Sequence, residues 1–294
     1  MSRAKATATG FTAVLMWALL ALFTDATAPV PPFMLNALCF GIGGALGLVW
    51  LAQSDGFGAL RGVGWKVYAF GTAGLFGYHA LYFSALRMAP AAEASLIAYL
   101  WPLFIVLMSG LLPGEKLRPL HLAGAGLAFG GAALIVLRGG GSFDPAALPG
   151  LGLAFLCAIT WAVYSVASRA FGTVPTAAVV VYCLATAVLS AMVHLAVETT
   201  AWPVGAAGWA AVIGLGLGPV GLAFFTWDVG MKKGDIQLLG VASYAAPLLS
   251  TLALILAGRA QASAALMIAA ALITGGAVLA ARASLSGARP ASGG

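Results

Sequence analysis

The sequence predicts an all-α polytopic membrane protein: ten transmembrane helices, arranged as two inverted five-helix repeats around a central cavity. The first observation behind this is composition. Of 294 residues, 62% are hydrophobic and 7% charged, where an ordinary soluble domain carries about 25% charged residues. An aqueous fold of this size has no interior large enough for so much apolar side chain, so the bilayer acts as solvent. The second is spacing. A spanning helix needs about 20 mostly apolar residues, and such runs fall at 10–28, 32–52, 66–86, 91–112, 119–137, 149–169, 176–197, 206–228, 236–257 and 263–282. Connections between them are short, so no separate soluble domain is expected. The third is internal similarity between 1–138 and 139–283.

The first run begins like a secretory signal, with a basic start, an apolar core and a small-residue end. Trp17 within it has a counterpart at Trp161, so the segment is expected to belong to the fold. Cys39, Cys157 and Cys183 fall inside runs without metal-ligand spacing, and are expected to be buried packing residues. Residues 284–294 are small and polar, and a disordered cytoplasmic tail is expected there. The net charge of +6 is spread out, not clustered, which points to topology and away from nucleic acid. With the N-terminus inside, Arg3, Lys5, Arg61, Lys66, Lys116, Arg118, Arg169, Lys232, Lys233, Arg282 and Arg289 face the cytoplasm, against Arg87, Arg138 and Arg259 outside. That bias puts both termini in the cytoplasm.

The repeat is carried by three matches in the same order. "ALRMAPAAEASLIAYLWPL" (85–103) aligns with "GMKKGDIQLLGVASYAAPL" (230–248), "LMWAL" (15–19) with "ITWAV" (159–163), and "GTAGLFG" (71–77) with "GLGLGPVG" (214–221). Five spans is an odd number, so the second unit is inverted relative to the first, an arrangement used for alternating access. Pro102 and Pro247 fall near the middle of spans four and nine, where each removes a donor and clashes with the carbonyl four residues earlier. Within lipid the freed carbonyl needs protein or a wet cavity, so both prolines are expected to kink helices that line or gate a cavity. A purely structural kink is the alternative. Gly43 with Gly47 and Gly126 with Gly130 are expected to form small faces for close helix packing.

The ten-span plan, the early tryptophan in each half, "AL" closing span three and "YLWPLF…LLPGEKL" through span four resemble the EamA branch of the drug/metabolite transporter superfamily. The resemblance covers about residues 10–283, and its aromatic spans three and four are most like the bacterial aromatic amino acid exporters. It implies a secondary transporter in the bacterial cytoplasmic membrane. The sequence departs from symmetry where "GEKL" (114–117) becomes "GRAQ" (258–261), which puts in doubt a symmetric role for Glu115.

Polar and aromatic groups deep in the spans are the candidate substrate contacts. Tyr78 and Tyr82 share a face of span three, with His79 between them. An intramembrane histidine faces the interior by default; substrate contact or gating, a packing hydrogen bond and a proton relay are its alternatives. Tyr99 and Trp101 point about 200° apart on an ideal helix, so both line a cavity only if the Pro102 kink reorients them. Trp161, Tyr164, Ser165 and Ser168 form one stripe of span six, either a wet face or an aromatic core. Trp17 is expected near the same centre, and Ser243 with Tyr244 repeat the pattern in span nine. Trp202 and Trp209 are expected as interfacial belt residues.

The eight acids, Asp25, Asp55, Glu93, Glu115, Asp144, Glu198, Asp228 and Asp235, all lie in loops or near span ends. A carrier of lipophilic cations would hold a deep carboxylate. Rings, hydroxyls and one imidazole instead suit a neutral or zwitterionic solute with an apolar part. The expected function is export of aromatic or other amphipathic amino acids, with drugs, nucleobases or other small metabolites as the alternative. No nucleophile–base pair, metal motif or phosphate loop is present, so neither catalysis nor a metal or cofactor is expected. With His79 the only titratable group at mid-depth, diffusion down the substrate gradient is expected over proton antiport. The partners expected are the small-molecule substrate and the lipid bilayer, with the chain acting as a monomer.

Overall fold

A backbone in hydrocarbon must bond to itself, and helices do this within one segment. The computed structural model describes residues 1–54, 56–137, 145–258, 261 and 263–288, with side chains through Leu285. Among them, all regular structure is helical. The first span is α1 (Arg3–Trp17) followed by α2 (Leu20–Ala26), and the second is α3 (Pro32–Ala52). A short α4 (Gly56–Leu60) leads to α5 (Trp65–Met88), then α6 (Ala91–Ala98) with α7 (Trp101–Ser109), then α8 (Pro119–Val136). The second half runs α9 (Leu148–Ala170), α10 (Ala178–Val197), α11 (Gly205–Leu217), a π turn (Gly218–Leu222) and α12 (Ala223–Lys233). It closes with α13 (Ile236–Ala242), α14 (Ala245–Leu256) and α15 (Ala264–Ala288).

Nine of the resulting rods among the described residues are long and apolar enough to cross a membrane. The tenth, α5, is long enough at 24 residues, about 36 Å; its tyrosines, His79 and glycines lower its mean hydropathy. Helix α15 continues through 284–288, so the segment expected as a disordered tail is helical at its start, and the first proline after it is Pro290. Residues 289–294 lie outside the described residues, as do Asp55, Arg138, Asp144, Arg259, Arg289 and the expected division at 138/139.

The two prolines stand just after the breaks. Helix α6 ends at Ala98 and α7 restarts at Trp101, so Pro102 occupies the first turn. Likewise α13 ends at Ala242 and α14 restarts at Ala245, two residues before Pro247. In a first turn the missing N–H has no intrahelical partner to lose. The clash with the carbonyl four residues back is relieved by ending the preceding helix. Two further spans break at mid-depth: the first between Trp17 and Leu20, and the eighth at the π turn that contains Pro219.

Between the halves, α8 packs on α15, α3 on α10 and α7 on α13, while α5 packs on α9 and α1 on α12. Exchanging each span with the one five later maps this set onto itself, as a twofold between the repeats requires. Small residues set the closest approaches. A Cβ on Gly124 would lie 2.6 Å from the Gly276 carbonyl oxygen, and one on Gly230 would lie 2.5 Å from the Gly10 Cα. Gly43 and Gly47 are packed as expected, against the π turn and against Val180 and Phe225. Gly126 and Gly130 are not: a Cβ there meets nothing within 4 Å. The buried face of α8 is Gly124, Ala128 and Gly131, one helical step away from the pair read from the sequence.

Gly124→Val should therefore wedge α8 from α15, a strain of about 1–3 kcal/mol, whereas Gly126→Val should be silent. Thermal unfolding followed by monodispersity in detergent distinguishes them; equal behaviour of the two variants would refute this packing.

Candidate functional site

The breaks in spans one, four, eight and nine converge on one cavity. Its narrow part, about 130 Å³, is lined by Trp17, Tyr78, His79, Tyr82, Ser95, Tyr99, Trp101, Trp161, Pro219, Phe224 and Ala246, among others. It shares Trp17, Tyr78, His79, Tyr82 and Tyr99 with a wider part of about 670 Å³ that reaches Thr24–Pro32 and Leu86. Those residues mark the end of the bundle away from the N-terminus. Among the described residues, no Asp, Glu, Lys or Arg lines either part. Together they suit a solute of modest size, since ligand pockets measure about 300–1,000 Å³.

The break at 99–100 answers the question of Tyr99 and Trp101. Tyr99 ends α6 and Trp101 begins α7, so the two rings escape the 200° separation of a continuous helix and both reach the cavity. Tyr78 stacks on Tyr82 at 6.2 Å and 11°. Tyr82 Oη shares a hydrogen bond with Ser95 Oγ at 2.9 Å. His79 Nδ1 lies 2.7 Å from the Leu75 carbonyl oxygen, and its ring stands edge-on to Phe40 at 5.0 Å.

Beneath the narrow part lie four indoles from four spans. Trp17 contacts Trp101, Trp161 and Trp227 at 6.1, 5.9 and 5.1 Å. Trp101 meets Trp161 and Trp227 at 6.3 and 5.8 Å, and Trp161 stacks on Trp227 at 6.3 Å. Every pair is thus in contact. Each such pair contributes about 0.5–1.5 kcal/mol beyond area burial. Two indole N–H groups are held: Trp17 Nε1 donates to the Pro219 carbonyl at 3.0 Å, and Trp227 Nε1 to Ser165 Oγ at 3.1 Å.

Four candidates lie away from the cavity lining. Tyr164 is buried against Gly74 and Phe70, and Ser165 is the acceptor behind Trp227. The lower part of the span-six stripe is therefore core beneath the floor, because α5 and α12 cover it. Ser243 Oγ donates to the Leu239 carbonyl at 2.7 Å, and Tyr244 packs beside Phe129 in a second apolar cluster with α8 and α15. Ala246 takes the place in the cavity that Trp101 has in the other half. Pro102 and Pro247 are buried beside the breaks and do not themselves line the cavity. Sequence reasoning missed Ser95, Pro219, Phe224 and Trp227. The last two had a signal: they stand 145 positions after His79 and Tyr82. Trp202 and Trp209 stack on each other at 6.0 Å and are exposed, as expected of a belt.

Beyond the floor, toward the N-terminus, charged groups from both halves lock together. Arg3 lies 3.3 Å from Glu115 and 3.4 Å from Asp235, and the Arg169 guanidinium pairs with the other Glu115 oxygen. Arg169 Nη1 also donates to the Met231 and Gly234 carbonyls at 3.0 and 2.9 Å, capping α12. Asp228, although within a span, is buried with partners: Lys232 Nζ at 2.8 Å and Thr176 Oγ1 at 2.7 Å. At the opposite end Glu198 accepts from the Phe33 and Met34 N–H groups at 3.0 and 3.1 Å and pairs with Arg87 at 3.0 Å. That carboxylate caps α3, as a helix N-terminus favours.

This architecture coincides with a known family. The EamA-like transporter family matches twice, over residues 5–137 and 148–282. The chain belongs to the EamA-like transporter family. The two matches correspond to the two halves that share the cavity. An Aromatic amino acid exporter YddG from Ancylobacter novellus is 56% identical over 271 residues, 91% of this chain and 94% of that protein. An Aromatic amino acid exporter YddG from Salmonella typhimurium is 25% identical over 268 residues, 85% of this chain and 88% of that one. A solved crystal structure, 55% identical, superposes with a TM-score of 0.92 over 96% of this chain and 99% of that one. The family places the chain among membrane transporters.

The charged cluster yields an expectation. Glu115 is half-buried between two arginines, and removing one partner of a fully buried pair costs about 3–5 kcal/mol; because Arg169 keeps its carbonyls and Arg3 is exposed, the loss expected for Glu115→Gln is about 2 kcal/mol. Ser165→Cys, unreactive toward a maleimide in a background without the native cysteines, should become labelled when Glu115→Gln is added. Unchanged protection would show that this cluster does not hold the end closed.

Proposed function

We propose that the chain exports aromatic or other amphipathic amino acids across the bacterial cytoplasmic membrane by alternating access through the ring-lined cavity. The observation that carries this is the cavity itself: uncharged, walled by tyrosines, tryptophans and one imidazole, open toward one end and floored toward the other. Aromatic faces receive a planar side chain, and the Tyr hydroxyls and the carbonyls at the helix breaks can receive an ammonium group. The similarity to exporters of aromatic amino acids supports the same substrate class. With both termini in the cytoplasm, the indole floor and the ion pairs face inward, and the described state is open to the outside. Export then needs the floor and the Arg3–Glu115–Arg169–Asp235 cluster to part while the opposite mouth closes. The contacts Trp17, Tyr78, His79, Tyr82, Tyr99, Trp101 and Trp161 hold the solute. The chain works as a monomer and moves substrate down its gradient.

Proteoliposome counterflow with labelled tryptophan, phenylalanine and threonine, beside a lipophilic dye, tests this. The aromatic amino acids should exchange; movement of the dye alone would refute the proposal. Tyr78→Ala, Tyr82→Ala and Tyr99→Ala should each lower exchange about tenfold, the equivalent of about 1.4 kcal/mol, with membrane insertion retained. Near-normal exchange in all three would place the pathway elsewhere. An imposed pH gradient should leave the rate unchanged, and strong acceleration would establish proton coupling.

A further inference from the structure

His79 is the polar group of the cavity whose hydrogen-bonding sense is fixed by its neighbours. Its Nδ1 lies 2.7 Å from the Leu75 carbonyl oxygen. A carbonyl only accepts, so Nδ1 must carry the proton. No carboxylate among the described residues lines the cavity, and an unpaired imidazolium there would be costly, so the ring is neutral. A neutral imidazole with its proton on Nδ1 has a bare lone pair on Nε2. Among the described residues Nε2 has no hydrogen-bond partner, while the ring lines both parts of the cavity.

The surroundings select what that lone pair can meet. Phe40 and Tyr78 stand edge-on to the ring at 5.0 and 5.2 Å, with Phe83 and Phe224 at 6.1 Å each. An ammonium group brings three donors and a full charge, which one acceptor among four rings does not satisfy. A planar ring with a single N–H fits: its faces meet the aromatic wall and its one donor meets Nε2. We propose that His79 Nε2 accepts the ring N–H of the solute, making it a specificity-determining residue that favours indole-bearing over phenyl-bearing amino acids. This rests on the reading of the cavity as an aromatic amino acid site.

The experiment compares 5-methyltryptophan, which keeps the ring N–H, with 1-methyltryptophan, which has the same added methyl group but no N–H, by proteoliposome counterflow. Phenylalanine serves as the solute that never had the donor. One hydrogen bond corresponds to a preference of about fivefold, so the wild-type chain should carry the 5-methyl isomer about fivefold better in kcat/KM. In His79→Phe the ratio between the two isomers should fall to one, whatever the overall exchange rate, and His79→Gln, which supplies an amide oxygen, should keep part of the preference. Equal transport of the isomers by wild type would overturn the proposal while leaving aromatic amino acid export intact. So would an unchanged ratio in His79→Phe, or, if that variant does not fold, an unaltered ratio in His79→Gln. If wild type carries neither tryptophan nor phenylalanine, the functional reading falls and this inference with it.

Discussion

The contact among four indoles is the constraint on which the remaining architecture rests. Trp17, Trp101, Trp161 and Trp227 come from the first, fourth, sixth and eighth spans, so their mutual packing fixes four helices from two halves at one depth. Two of the four donors are consumed internally, by Pro219 and Ser165. Without this plug the uncharged cavity would run on toward buried ion pairs, and water reaching those pairs would weaken them.

The two halves share a plan but not a lining. Position for position, Trp101 faces Ala246, Tyr99 lines the cavity where Tyr244 is core, and His79 stands where Phe224 does in the other half. Large rings on one side need small residues on the other, since close-packed interiors do not accommodate both. The narrow part of the cavity is therefore polar mainly along spans three and four. The same asymmetry appears in the backbone: the eighth span carries a π turn, whereas its repeat partner α5 is an unbroken helix. π segments mark functional sites in many helices, and here the turn supplies the carbonyl that holds Trp17.

Much of the fold was legible because a bilayer leaves few options. Apolar runs, the paired prolines and the early tryptophans are local signals, and each corresponds to an element or a break in the structure. The site was legible where a residue had an identity that a membrane penalises: His79, the tyrosines of α5 and the rings beside Pro102. It was not legible where the answer depended on rotation about a helix axis. Tyr244 and Tyr164 have the same neighbours in sequence as lining residues, yet face other helices, and Gly126 differs from Gly124 only by which side of α8 it occupies. Long-range pairs such as Glu115 with Arg169 were illegible for another reason: at span ends, nothing local says which charges meet.

The indole cluster also has an optical consequence. Four of the eight tryptophans sit within coupling distance of one another, so their excited states are shared and not independent. Any rearrangement that separates the first and sixth spans from the fourth and eighth uncouples these chromophores. The native chain thus carries its own spectroscopic signature of whether this floor is intact, with no label attached.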